Sequence, residues 1–289
     1  MRSTMRIGVI RIAILIAVLG FLVPFSPRVS AVLMDSPDGW GWHYPQPHGN
    51  YINAIWGSAM DDIFAVGSHG TILHYDGNSW TPMDSGTPLD LNDVWGTSGT
   101  DVFAVGNDET ILHFNGWSWS KMETMELIHQ YDTFITTTPA FSFSGVWGSS
   151  HQDVFVVGGM TRYGSSMSSI WHYNGTSWEE QDYVSGSMLY DVCGTSSDNV
   201  FAVGRGTSGR SIMHYDGDSW SSMSSDFTGT LKAGWGSSSS NVFAVGYGAP
   251  SFTMMAATGL RWPVAPMNGL RMSGALLAQM SLLWVMIGD

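Results

Sequence analysis

Four histidines, His74, His113, His172 and His214, recur at one position of a repeating pattern and are the first side chains that could do chemistry. A ring of imidazoles could hold a metal. Metal–nitrogen bonds are only about 2.0–2.1 Å long, however, and equivalent positions of successive repeats lie much further apart than that. A packing or hydrogen-bonding role is therefore expected, with no metal site and no cofactor. The chain has one cysteine, Cys193, which excludes an intrachain disulfide and any multi-cysteine metal site. Trp80, Trp119, Trp178 and Trp220 could stack on sugars, but at a repeated position they are expected to seal repeat against repeat. Asp62, Asp101 and Asp153 share a slot with Asn199 and Asn241. Interchange of Asp and Asn fits a turn-capping role and argues against an acid or base.

The elements that position these residues follow from the repeat. One unit reads Asn92-Asp93-Val94-Trp95-Gly96, then Asp101 to Gly106, then Thr110 to Gly116, then Trp119. The first piece returns at Trp56, Trp147, Cys193 and Trp235, in steps of 39, 52, 46 and 42 residues. The second piece returns at Ile63 to Gly67, Val154 to Gly158, Val200 to Gly204 and Val242 to Gly246. Each unit holds four short segments rich in Val, Ile, Phe, Tyr and Trp, bounded by Gly, Asn, Asp or Ser, which is a strand-and-turn signature. Four strands per repeat of roughly 40 residues predict an all-β chain of four-stranded antiparallel propeller blades. We label the strands a (Val-Trp-Gly), b (Val-Phe-Ala-Val-Gly), c (Ile-Leu-His-Tyr) and d (Ser-Trp). Asp-Gly or Asn-Gly between c and d supplies the positive φ of a tight hairpin. The count is four full blades plus strands a and b of a fifth, an incomplete ring. Trp42 lies 14 residues ahead of Trp56, close to the d-to-a distance of 15 from Trp80 to Trp95 and from Trp220 to Trp235, so Gly39 to Pro47 is expected to add an outer strand to the last blade.

The units resemble those of secreted bacterial β-propeller repeat proteins, distant relatives of kelch and Asp-box (BNR) repeats. The resemblance covers about residues 40 to 248. It departs from a true Asp-box in that Asp76-Gly77 and Asp216-Gly217 are adjacent. It implies a propeller and a surface or periplasmic interaction role, and it implies no particular reaction.

What interrupts the repeat points to a binding face. Extra residues fall between Trp119 and Trp147 (a d–a connection, around Glu126 to Asp132), between Phe155 and Trp178 (a b–c connection, around Thr161 to Gly164) and between Phe201 and Trp220 (around Arg205 to Arg210). In an antiparallel blade the b–c and d–a connections emerge on the same face, and insertions of this kind often mark where a repeat protein binds. Between residues 32 and 248 the only basic side chains are Lys121, Arg162, Arg205, Arg210 and Lys232. All three Arg lie in these b–c insertions, and guanidinium groups suit bidentate recognition of carboxylate or phosphate. The candidate site is therefore Arg162, Tyr163, Arg205 and Arg210 with Tyr131 and His129, the tyrosines serving as stacking groups.

The ends read differently. Arg2, Arg6 and Arg11 precede an apolar run, Ile12 to Val23, and Val29-Ser30-Ala31 follows. This pattern predicts a signal peptide over residues 1–31 and export to the periplasm, the cell surface or the medium. Past Gly248 the repeat stops, yet residues 249–289 regain it when read one base out of register. Ala249 to Met255, with suitable codons, becomes Gly-Thr-Ile-Leu-His-Tyr-Asp, the same as Gly70 to Asp76. The same shift turns Arg271 to Leu276 into Asp-Val-Trp-Gly-Ser, and Met280 to Met286 into Asn-Val-Phe-Val-Val-Gly-Asp. The recovered Trp falls about 38 residues after Trp235 and the recovered Phe about 8 further on, as Phe64 follows Trp56. A lost base near Gly248 is the expected cause.

Composition bounds the function. Only 12% of residues are charged and the formal net charge is −13. Such a chain repels nucleic acid and anionic membrane surfaces, so neither is expected as a partner, and after signal cleavage no membrane association is expected. The leading expectation is an exported, monomeric, non-catalytic module that binds a glycan, a peptide or a surface protein. The alternatives are a sialidase-like glycosidase and a non-functional truncated product. A sialidase would need Tyr131 or Tyr163 as nucleophile with Glu126 and Asp132, and no local motif assigns those roles.

Overall fold

A computed structural model describes residues 50–123, 141–162, 164–206, 211–223, 229–239, 241–247 and 252–254. Blade one is β1 (Ile52–Ala59), β2 (Asp62–Gly67), β3 (Ile72–Tyr75) and β4 (Trp80–Met83). Blade two is β5 (Leu91–Ser98), β6 (Asp101–Gly106), β7 (Ile111–Phe114) and β8 (Trp119–Lys121). Blade three is β9 (Ser142–Ser150), β10 (Asp153–Arg162), β11 (Ser165–Tyr173) and β12 (Trp178–Ser185). Blade four is β13 (Ser187–Ser196), β14 (Asn199–Gly206), β15 (Ile212–Tyr215) and β16 (Trp220–Ser222). The fifth sheet has three strands, β17 (Thr230–Ser238), β18 (Asn241–Tyr247) and β19 (Phe252–Met254). Four sheets run a-b-c-d in order and the fifth a-b-c, all antiparallel, and successive a strands pack side by side at the centre. The ring is a propeller left unclosed between β17 and β1. Tyr51, Ile52 and Met60, on or beside β1, are exposed accordingly.

After their first residue the b strands open on an apolar run, because each lies between two strands of its own blade and packs against the neighbouring blade or blades. Phe64, Phe103, Phe155 and Phe201 are buried to within 1%. The c–d hairpins take the expected turn: Gly77, Gly116, Gly175 and Gly217 have φ between 89° and 98°. The preceding Asp76, Asn115, Asn174 and Asp216 each accept two backbone N–H groups with one side-chain oxygen. That explains why either Asp or Asn serves there.

Tryptophans weld the blades in both directions. Strand-d Trp119 of blade two meets Phe64 of blade one edge-on at 6.1 Å, and Trp220 of blade four meets Phe155 of blade three at 5.9 Å. Strand-a tryptophans reach the other way, onto a glycine of the next blade: Trp56 onto Gly96, Trp95 onto Gly148, Trp147 onto Gly194. A Cβ on Gly148 would lie 2.6 Å from the Trp95 ring and 2.7 Å from the Asp153 carbonyl oxygen, with neither side free to yield. Gly148→Ala is expected to cost about 1–3 kcal/mol by overpacking, measured as a drop in urea midpoint with an unchanged m-value. A midpoint equal to that of the parent would show that the seam is looser than described.

The insertion in blade three is not a loop. It continues the b–c hairpin, with Val154↔Tyr173 through Arg162↔Ser165 in unbroken register. Strand d lengthens with it, and Gly186 alone links β12 to β13. The stem is locked onto blade four: the Ser168 hydroxyl donates to the Ser187 carbonyl at 2.9 Å and accepts the Leu189 N–H at 2.8 Å.

Candidate functional site

The repeated histidines do what a packing role requires. His74, His113 and His172 each place Nε2 2.7 Å from Oδ1 of the strand-b aspartate of their own blade, Asp62, Asp101 or Asp153. His214 does the same with Asn199 at 2.9 Å. Each ring also lies against the strand-b phenylalanine, 4.4–4.6 Å away. The Asp and Asn of this slot are thus not simple turn caps. They bridge strand c to a hydroxyl at the end of strand a: Ser58, Thr97 or Ser149 donates to the aspartates, and Asn199 donates to Thr195. Burial alone would raise Asp101 and Asp153, but these hydrogen bonds hold both below the ordinary aspartate value. His214, with a neutral partner, is lowered by burial.

Of the basic side chains singled out from the sequence, Arg205 is exposed near the end of β14, where the b–c connection of blade four begins. Arg162 ends β10 at the tip of the blade-three hairpin, not in a loop. The stem of that hairpin packs beside β13, the strand paired with the one that holds Arg205. Gly159 lies against the Met188 sulfur, and Met188 is the cross-strand partner of Arg205. Tyr163, Arg210, Tyr131 and His129 lie outside the described residues, as do Glu126, Asp132, residues 1–31, where a signal peptide is expected, and residues 39–47, where an outer strand is expected.

Strand a carries a β-bulge near its start in each blade, and in blades one, two and four the bulged residue meets the next blade. Asn53 donates to the Leu91 carbonyl at 2.8 Å and Asn92 to the Phe143 carbonyl at 2.7 Å. In blades four and five the bulged residues are Tyr190 and Lys232, and the ammonium sits 3.2 Å from the Tyr190 ring centroid. Burial, then the nearby Arg205 charge, lower the Lys232 pKa. The loop face of blades four and five thus gathers Arg205, Lys232 and Tyr190. The corresponding b–c connections of blades one and two present no basic chain beyond His69, and blade two presents Asp108 and Glu109. Among the described residues, the cations of this face are thus gathered at blades four and five, and the Asp108 and Glu109 carboxylates stand at blade two. Sequence reading placed Arg205 there and missed Tyr190 and Lys232, which a slot-by-slot comparison of the bulge residues (Asn53, Asn92, Ser144, Tyr190, Lys232) would have exposed.

Two further carboxyls face the centre of the ring. Asp93 accepts the Val146 N–H at 2.8 Å, and Asp191 accepts the Gly234 N–H at 2.7 Å, so each ties its blade to the next. Gly145, the residue of blade three in this slot, lies between them: a Cβ there would be 2.8 Å from the Asp191 Cα. Both keep some contact with channel solvent, yet protein packs around them on every other side. Desolvation pushes Asp93 up to about 7. Desolvation and then the charge of Asp93 hold Asp191 well above the ordinary aspartate value.

No protein-family model matches the chain, and no curated protein sequence matches it. Solved structures do. YCF48 bound to D1 peptide superposes with a TM-score of 0.53 at 15% identity, covering 75% of this chain and 68% of that one. The WD40 propeller domain of Doa1 gives 0.52 at 13% identity, covering 75% and 69%. The nidogen/laminin complex gives 0.50 at 11% identity, covering 74% and 80%. These likenesses show the fold, a β-propeller built of repeats.

Proposed function

We propose that the chain is a non-catalytic, exported propeller that binds a peptide segment of a partner protein across its loop face. The observation that carries this reading is the gathering of Arg205, Lys232 and Tyr190 beside the locked blade-three hairpin, on a chain with few other cations. A cationic cluster of this kind favours a peptide whose acidic part lies over blades four and five. Two of the structural neighbours point the same way: YCF48 is seen with D1 peptide, and nidogen with laminin. Export rests on the N-terminal pattern of residues 1–31, and kinship with kelch and Asp-box repeats on the sequence motifs.

The test is a peptide-display selection on the full chain at low salt, repeated with the Arg205→Ala/Lys232→Ala double variant. Acidic peptides are expected to be enriched, to bind about 10-fold or more weaker to the variant, and to be released by salt in the 0.1–1 M range. Selected peptides that bind parent and variant alike would overturn the assignment.

The reading extends to the tail. We propose that residues 249–289 are the out-of-frame image of further repeat. The support is positional. In four blades the b-strand phenylalanine pairs with the strand-c histidine, as Phe201 does with His214. In the fifth sheet Phe243 pairs with Thr253, so β19 lies in the strand-c register. With the codons chosen above, the bases of Phe252 and Thr253 are the ones that spell His in the shifted frame. Sequence expectation ended the repeat at Gly248; the short β19 carries the sheet beyond it.

A further inference from the structure

The geometry points to a divalent transition-metal site at the seam of blades two and three, with Asp101, His113 and His151 as ligands. It is independent of the peptide-binding reading, because the a–b turns lie at the opposite end of the blades from the b–c and d–a connections.

The propeller topology brings the residue four positions after the strand-a tryptophan onto the strand-b aspartate of the preceding blade. At the first seam that residue is Gly99, and a Cβ there would already touch the Asp62 carboxylate, 1.9 Å from Oδ2. At the second seam it is His151. Its Nδ1 lies 2.7 Å from Asp101 Oδ1, the same oxygen that His113 Nε2 approaches to 2.7 Å from its own blade. Three donor atoms from two blades thus fall within 4.8 Å of one another. Elsewhere the repeat builds a two-member pair, His74 with Asp62 or His172 with Asp153, which the blade needs for packing. The His151 ring also lies near Phe103, His113 and Tyr173, but the repeat does not require that packing, since glycine serves at the first seam.

The surroundings suit a ligand set. The Thr97 hydroxyl holds the other carboxylate oxygen, Oδ2, leaving Oδ1 directed at the imidazoles. The face of Phe103 fixes the His113 ring at 4.6 Å. The His151 side chain is 49% exposed, against 18% for His113 and 16% for Asp101, so solvent reaches the group from one side only. Two imidazole nitrogens and one carboxylate oxygen with room for water match the preferences of zinc, copper, nickel or ferrous iron, and not those of calcium or magnesium. Loading would replace two hydrogen bonds by one cation. The donors now 2.7 Å apart would spread to roughly 3.3 Å, the edge of a tetrahedron with bonds of about 2.0–2.1 Å.

The experiment uses the untagged full chain, stripped with chelator. Zn²⁺ binding is followed by calorimetry and Co²⁺ binding by visible absorption. We expect one equivalent of either ion, with a Co²⁺ absorption band of low coordination number. His151→Gly, which installs the residue of the first seam, should weaken binding by about 30-fold or more and leave the melting temperature of the metal-free chain within about 2 °C. Asp101→Asn, which copies the Asn199–His214 pair of blade four, should weaken binding similarly while keeping the fold. His69→Gly, at a distant exposed histidine, should bind as the parent does. Failure of the parent to bind either ion, or stoichiometric binding that survives His151→Gly, would overturn the site.

Discussion

A chain recoded so that the segment after Gly248 is read in the shifted frame is expected to melt about 10 °C higher than the chain as it stands. It is also expected to associate with itself less than the present chain does. The physical reason lies in the fifth sheet. Its b strand, β18, is apolar through Val242, Ala244 and Val245, which are buried, but its third strand is only Phe252–Met254. The shifted frame supplies Ile-Leu-His-Tyr in that register. The histidine would face Asn241, as His214 faces Asn199 2.9 Å away in blade four. Two aliphatic side chains gained by the sheet are worth about 1.5–3 kcal/mol each, and about 1 kcal/mol moves the melting point of a chain this size by roughly 2–4 °C. Extending the strand also covers backbone donors and acceptors that would otherwise invite pairing with another molecule. Calorimetry and sedimentation on the two chains decide it. Equal melting temperatures, or stronger association of the recoded chain, would show that the tail as written is the genuine continuation.

The fold was legible because the repeat states each requirement several times. Trp56, Trp95 and Trp147 each meet a glycine of the next blade, so a Trp-Gly pair read along the chain already contains both sides of the first three inner seams. The Asp-Gly and Asn-Gly turns were legible because they depend on local backbone geometry alone. The partnership of His113 with Asp101 was not. It links residues 12 apart in sequence through a register that the spacing alone does not give. The blade-three hairpin was read as a loop because Ser165, Ser166, Ser168 and Ser169 look like turn residues. Buried Ser168 instead serves as a hydrogen-bonding bolt to the neighbouring blade. His151, Asp93 and Asp191 escaped for one common reason. Each acts on the next or preceding blade, so its meaning appears only when the repeats are stacked in space. The available signal was a histidine where Gly99 stands, and aspartates where Ala54, Gly145 and Ala233 stand.

The central aspartates lead to the second large effect, a stability that declines from mildly acid to mildly alkaline pH. Asp93 titrates near 7 in the folded chain against 3.8 as an ordinary aspartate. Below about pH 4 both states hold the proton and the group contributes no slope. Between about 4 and 7 the unfolded chain has lost it while the folded chain keeps it. The native state then binds more protons, and stability falls as pH rises. Above 7 Asp93 ionises in place, and its charge makes Asp191 harder to ionise, so the decline continues. The channel solvent that both carboxyls touch softens the slope without reversing it. Asp101 and Asp153, whose values are lowered, act in the opposite sense and withdraw stability only as pH falls through the acid range. Melting temperature is therefore expected to be highest near pH 5 and lower by several degrees at pH 8. Asp93→Asn keeps an oxygen to accept the Val146 N–H and removes the charge. It should be more stable than the parent at pH 8, nearly equal at pH 5, and should flatten the profile between them. Asp191→Asn in the Asp93→Asn background should add less than it does alone, because part of its benefit comes from relieving repulsion that the first substitution has already removed. A parent that is as stable at pH 8 as at pH 5, or an Asp93→Asn chain that melts lower at pH 8, would mean that the carboxylates are held as favourable ions and that the inner seams depend on their charge.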